Sequence, residues 1–158
     1  MYDEISGSYD ELHSVEQKRK LMVVKSLLDI PEDTTVLDVG CGTGLSYLLG
    51  HKIIGIDLSA GMVKIAKSRM TASVADAHCL PFKDKSFGAV ICISAVHNFV
   101  NPKKALGEIA RVSTGLVIVS VLKRSLHFEN IKVILYDLFK VEKQVEDLKD
   151  IIFCCRVK

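Results

Sequence analysis

Three carboxyls, a hydroxyl and an imidazole fall at or near the ends of short apolar runs, where a sheet delivers side chains to one edge. Asp38 lies within Val36-Leu37-Asp38-Val39, and Asp57 closes Ile53-Ile54-Gly55-Ile56-Asp57. Asp76 follows Ser73-Val74-Ala75, and Ser94 and His97 follow Ala89-Val90-Ile91-Cys92-Ile93. An acid at the tip of a second parallel strand is placed to accept both hydroxyls of a ribose. Between the first two runs stands Gly40-Cys41-Gly42-Thr43-Gly44, with glycine at alternate positions. Glycine, lacking Cβ, takes φ > 0 and lets a ligand lie against bare backbone. The loop N–H groups and the positive end of the following helix are expected to face that ligand.

The glycine spacing separates two ligands. A dinucleotide-phosphate loop needs G-x-G-x-x-G after its strand. The third glycine of that pattern falls on Leu45, so the motif fails. What stands instead is Asp-x-Gly-x-Gly-x-Gly from Asp38 to Gly44. A nucleoside is therefore expected, without a pyrophosphate. An NAD-dependent oxidoreductase, which shares the strand-end acid, is the disfavoured alternative.

These motifs resemble those of class I S-adenosylmethionine-dependent methyltransferases, and specifically the small ones grouped with the ubiquinone/menaquinone-biosynthesis enzymes (type 11). The matching stretches are Leu37–Gly44, Gly55-Ile56-Asp57-Leu58-Ser59 with Met62, Ala75-Asp76-Ala77 before Leu80-Pro81-Phe82, and Asp84–Val90 leading to Ser94-Ala95-Val96-His97. The resemblance implies methyl transfer from S-adenosylmethionine to an acceptor left unidentified. A non-catalytic cofactor-binding or activating subunit carries the same motifs. The glycine loop (Gly40, Cys41, Gly42, Gly44) then receives the methionyl part and the ribose edge. Asp57 takes the ribose hydroxyls, Leu58 and Met62 cover the adenine, and Asp76 with the backbone at Ala77 suits its exocyclic amine. Ser94 joins them at the end of the fourth strand. Asp38 orders the loop or reaches the ammonium indirectly. Tyr9, in Ser8-Tyr9-Asp10, lies against the cofactor or serves as a packing anchor. His97 is the candidate general base or a pocket wall, and His78 reads as a loop residue. No metal site is implied.

The elements that position these residues alternate. Strands are expected at Thr35–Val39, Lys52–Ile56, Ser73–Ala75 (an edge), Ala89–Ile93 and Leu116–Val121. A short helix is expected over Leu45–Leu49. Ser59 can cap the next one, with Met62, Ile65, Ala66 and Met70 as its buried stripe. Asn101-Pro102 gives an N-cap and a proline at the first helical position, with Ala105, Leu106, Ile109 and Val112 facing inward. Glu129–Phe139 keeps helical spacing, and Val141–Glu146, a polar turn and Ile151–Val157 read as an antiparallel hairpin. Near the start, Ser14 with Gln17 forms a capping box, Val15, Met22, Val23 and Leu27 mark one face, and Pro31 ends that helix. The fold class is α/β, a Rossmann-like doubly wound sheet, mostly parallel. The resemblance implies seven strands in the order 3-2-1-4-5-7-6. One domain over 1–158 is expected, with 1–30 as a helical segment over the cofactor and 31–158 as the core.

Composition narrows the class. The chain has 158 residues and a net charge of +2, too little to declare a nucleic-acid footprint. Lys18-Arg19-Lys20 reads as a solvated helix face. Five cysteines without a C-x-x-C pair read as buried small hydrophobes in a reducing compartment. No apolar run spans a membrane and no signal peptide is seen, so a cytoplasmic protein is expected. The Asn/Asp-Pro-Pro-Tyr/Phe tetrad that holds planar amides in related enzymes is absent, which disfavours adenine N6 or glutamine amide as the acceptor. Only a short stretch follows the fifth strand, so the acceptor side is expected to be open, which suits a large acceptor or a pocket completed by another subunit. The acceptor itself is left as a small molecule or a macromolecule such as tRNA or protein. A partner subunit at the edge strand is the remaining expectation.

Overall fold

The computed structural model describes residues 2–158, and the side chains of residues 12–158. Four helices, α1 (Tyr2–Leu27), α2 (Ala60–Ala66), α3 (Pro102–Val112) and α4 (Phe128–Leu138), accompany seven strands. The strands are β1 (Thr35–Val39), β2 (Lys52–Asp57), β3 (Thr71–Val74), β4 (Phe87–Cys92), β5 (Ser113–Leu122), β6 (Phe139–Asp147) and β7 (Asp150–Val157). They form one sheet in the order β3-β2-β1-β4-β5-β7-β6. β1 to β5 pair in parallel, while β7 runs antiparallel to both β5 and β6. The chain winds outward from β1 through β2 to β3, then crosses back to β4. The crevice at the carboxyl ends of β1 and β4 is therefore the switch point where such sheets bind ligands.

Strand alternation builds two cores. Leu37, Val39, Val90, Cys92, Val117 and Val119 face α3 and α4, meeting Leu106, Ile109, Ile131 and Leu135. Val36, Ala89, Ile91, Leu116 and Ile118 face the other way, onto Leu21 and Val24 of α1 and Leu28 just beyond its end. Parallel strands covered on both faces need such near-continuous apolar runs. The caps behave as expected: the Ser59 hydroxyl accepts the Met62 N–H at 3.2 Å, and Asn101 accepts the Lys104 N–H at 3.1 Å. Arg111 of α3 donates to the carbonyls of Leu80 (3.0 Å) and Phe82 (2.8 Å), while Glu108 accepts the Leu80 N–H (2.9 Å). This clasp fixes the loop that follows β3.

Several expectations are corrected. The capping box starts nothing, because α1 runs unbroken past Ser14 from Tyr2; the upstream residues Glu4, Ile5, Glu11 and Leu12 are themselves compatible with a helix. Val15 and Met22 are exposed and the α1 face that packs is Leu21 and Val24, continued by Leu28 just past the helix end, a stripe chosen by the sheet beneath it. On α2, Met62 and Ile65 are exposed, and Val63 and Ala66 are the buried pair. β3 is displaced toward the N-terminus because its register with β2 is Ile54↔Thr71 through Asp57↔Val74. The cysteines are free, and four are buried, but Cys79 is exposed. Lys18 and Arg19 face solvent as expected, whereas Lys20 is buried.

Candidate functional site

Three adjoining cavities open over the switch point. The first, about 200 Å³, is lined by Asp38, the glycine loop and Ser94, with His13, Gln17 and Leu21 of α1 above. The second, about 480 Å³, lies between Asp57-Leu58-Ser59 with Met62 and the stretch Asp76-Ala77-His78, closed by Phe99 and Val100. The third, about 370 Å³, separates α1 from the β6–β7 turn. Ser94 lines all three.

The glycine loop offers shape rather than donors. The Gly40 and Cys41 N–H groups both donate to the Ile56 carbonyl (2.8 and 2.9 Å), Gly44 N–H to the Cys41 carbonyl (3.0 Å), and Gly42 N–H to Asp57 Oδ2 (2.9 Å). These N–H groups are spent within the fold, and Leu45–Leu49 is a single short 3-10 turn. The expectation that loop donors and a helix dipole face the ligand is thus overturned. Four of the loop N–H groups are thereby withdrawn from a ligand, which agrees with the absence of a pyrophosphate motif. Gly42 has φ +54° and open space where a Cβ would stand, so a ligand can approach its backbone. Gly44 lies behind the loop against Ala66 and lines none of the three cavities. Cys41 lines the first cavity, but burial pushes its thiol up to about 12, so it packs as a small hydrophobe.

Each acid has a distinct environment. Asp57 Oδ1 accepts the Ser59 N–H at 2.9 Å while Oδ2 accepts that of Gly42. Two N–H bonds orient the carboxylate and leave lone pairs for further hydroxyl donors. Asp38 is buried, and Ser46 Oγ donates to its Oδ2 at 2.6 Å. Burial pushes the Asp38 carboxyl up to about 6, against the pull of the Ser46 hydroxyl, with the Asp57 charge adding to the rise. Asp76 is exposed; the His78 N–H (2.9 Å) and imidazole (2.7 Å) hold it below the usual carboxylate range. His78 Nε2 accepts the Asn101 N–H at 3.0 Å, so Nδ1 carries the proton that faces Asp76. His78 is therefore the orienting partner of Asp76, which its sequence position did not reveal.

Beyond β4 the backbone is forced. Ser94 sits at φ +56°, a conformation uncommon outside glycine, and its N–H donates to Ser120 Oγ at 2.7 Å. Its hydroxyl accepts from Lys20 Nζ (2.5 Å) and donates to Asp150 Oδ2 (3.3 Å). His97 lines the third cavity, where burial lowers its imidazole below the ordinary range and its Nδ1 has no hydrogen-bond partner among the described residues. Tyr9 lies outside the residues whose side chains are described. Lys20, Asp147 and Asp150 were missed: the first sat in a basic run and the others in a polar turn, patterns that look solvated in one dimension.

An αβ sheet in the 3-2-1-4-5-7-6 order, with a hollow for a nucleoside and an oriented acid beside it, defines the class I methyltransferase architecture. Residues 37–119 match the family model described as a methyltransferase domain. Demethylmenaquinone methyltransferase of Renibacterium salmoninarum is 37% identical over 125 residues, covering 72% of this chain and 52% of that protein. The chain spans about half the length of the curated relatives it matches. Magnesium protoporphyrin IX methyltransferase from Synechocystis PCC 6803, solved with bound S-adenosylmethionine, superposes with TM-score 0.76 at 21% identity, covering 91% and 81% of the two chains. A putative methyltransferase complexed with the Haloferax volcanii Trm112 activator gives 0.78 at 16% identity, covering 99% and 95%. The chain belongs to the methyltransferase domain family, in its class I S-adenosylmethionine-dependent form. The residues present fit that cofactor: bare backbone at Gly42, an oriented Asp57, apolar Leu58 and Met62, and a buried acid at Asp38.

Proposed function

We propose that this chain transfers a methyl group from S-adenosylmethionine to an acceptor held between α1 and the β6–β7 turn. The observation that carries the proposal is Ser94, the shared wall between the two cofactor cavities and the third one. S-adenosylmethionine, when bound, supplies a methyl carbon activated by a sulfonium. The protein's task is alignment and exclusion of water. Asp57 holds the ribose hydroxyls, Leu58 and Met62 cover the adenine, and Asp76 with Ala77 meets its edge. Asp38, Gly40, Cys41 and Gly42 bound the methionyl end, roofed by His13 and Gln17. His97, whose imidazole burial holds below its ordinary range, takes a proton from the acceptor where the acceptor carries one.

Incubation with methyl-labelled S-adenosylmethionine and a metabolite, tRNA and protein panel tests this. Label must leave the cofactor for an acceptor, and His97→Ala must slow its transfer. Tight cofactor binding with no transfer to any acceptor would favour the non-catalytic subunit instead. Demethylmenaquinone, in view of the Renibacterium relative's name, belongs in the panel. An activating partner is the second proposal, favoured by the exposed edge strand β3 with its Thr71, Ser73 and Val74 turned to solvent. An archaeal activator of the kind bound in the Haloferax complex is the bait, and failure to co-purify with the intact chain counts against it.

A further inference from the structure

His78 joins two parts of the second cavity that the chain keeps apart. Asp76-Ala77-His78 bounds that cavity, and Phe99 and Val100 close it. The imidazole Nδ1 lies 2.7 Å from Asp76 Oδ1, while Nε2 accepts the N–H of Asn101, 23 residues further on, at 3.0 Å. The Phe99 ring meets the imidazole edge to face, with centroids 5.8 Å apart. A ring nitrogen that accepts a backbone N–H cannot carry a proton, so Asn101 decides the tautomer and the Nδ1 proton points at Asp76. Asp76 Oδ1 thus takes two donors, this one and the His78 N–H at 2.9 Å, and Oδ2 takes none among the described residues. Two donors on one oxygen stop the carboxylate from turning, and both favour its charged form.

We propose that His78 is a positioning residue for base selection: by pinning Oδ1 of Asp76 it keeps Oδ2 available to the cavity, and so makes the site prefer a purine with an exocyclic amine over one with a carbonyl oxygen there. This rests on the cofactor reading above, to which it adds the residue that enforces the choice of base. An exocyclic amine donates to Oδ2. A carbonyl oxygen in its place sets two acceptors against each other. A carboxylate free to swing into solvent would escape that clash and lose the discrimination. The Asp76 side chain is 52% exposed, so without the imidazole the swing is open.

Calorimetric titration of the full chain compares S-adenosylhomocysteine with S-inosylhomocysteine, in which a carbonyl oxygen replaces the exocyclic amine. Wild type should bind the first at least about tenfold more tightly, the strength of one charge-assisted hydrogen bond. His78→Leu should cut that ratio at least about fivefold, through weaker binding of S-adenosylhomocysteine alone. His78→Asn, whose amide N–H replaces the Nδ1 donor, should restore most of it. Asp76→Asn should reverse the preference, since His78 would hold the amide oxygen and leave the amide NH2 to donate to the carbonyl. A merely structural staple would weaken both ligands alike and could not reverse their order. Equal wild-type affinities, an unchanged ratio in folded His78→Leu, no recovery in His78→Asn, or an Asp76→Asn variant that still favours S-adenosylhomocysteine would each overturn the inference. The wild-type and Asp76→Asn ratios decide the matter even where His78→Leu fails to fold. Absence of binding by both ligands sinks the cofactor reading, whereas binding without discrimination sinks only this one.

Discussion

Lys20 Nζ and Asp150 Oδ2 stand 2.8 Å apart, both side chains buried, joining α1 to the β6–β7 turn across the floor of the third cavity. Ser94 bonds to both, so one ion pair braces the strained residue at which the three cavities meet. Removing one partner leaves an uncompensated charge. Lys20→Met or Asp150→Ala should each cost about 3–5 kcal/mol in urea unfolding, with the double replacement Lys20→Met/Asp150→Leu costing less than either. Single-variant losses near zero would mean that the pair is solvated.

Asp38 links stability to pH. Its folded-state pKa, about 6 against an ordinary 3.8, means that the native state favours the protonated acid. That contribution is full below 3.8 and is lost as pH rises through about 6. Asp38→Asn keeps an acceptor for Ser46 and removes the titration. The variant should match wild type near the low end and exceed it by about 3 kcal/mol above pH 7. Cofactor affinity should move the opposite way, wild type binding S-adenosylhomocysteine better above pH 6 than below it, since a charged Asp38 complements the ammonium. A pH-independent stability difference would place the Asp38 titration elsewhere.

Two glycines separate folding from binding. A Cβ at Gly40 would meet Ala95 Cβ at 2.7 Å and its φ is +76°, so Gly40→Ala should destabilise the fold. Gly42 has only the backbone strain, about 1–2 kcal/mol for an L residue in the left-handed region. Gly42→Ala should therefore fold and yet lose cofactor affinity, because its methyl enters the open space beside the loop. Calorimetric titration with S-adenosylhomocysteine checks this, and wild-type affinity in Gly42→Ala would place the ligand away from that backbone.

Asp57→Ala should weaken cofactor binding by about 2 kcal/mol or more through two lost ribose hydrogen bonds. It also frees the Gly42 and Ser59 N–H groups that Asp57 holds, so Asp57→Asn, which keeps one acceptor oxygen, should retain part of the affinity.

His97→Ala should reduce turnover by about 10²–10⁴-fold with an acceptor that must lose a proton, and leave cofactor affinity intact. Because burial lowers the His97 imidazole, the acid limb of the wild-type rate profile should fall below 6.5. A limb above that value would implicate another group.

The sequence by itself determined the alternation of strand and helix, the caps at Ser59 and Asn101, and the glycine loop with its following acid. These rest on local rules: period-2 and 3.6 patterning, side-chain capping and the freedom of glycine, each read within a few residues. Which face of an amphipathic helix is buried is not local. Leu21 packs in place of Met22, and Val63 in place of Met62, because the sheet below selects the stripe. Only tertiary structure brings Lys20, Ser94 and Asp150 together across 74 and 56 residues of chain, and only it spends the loop N–H groups on Ile56 and Asp57. A lysine in a basic run or an aspartate in a turn carries no local sign of burial, since its low-dielectric surroundings come from segments that meet only when the fold closes.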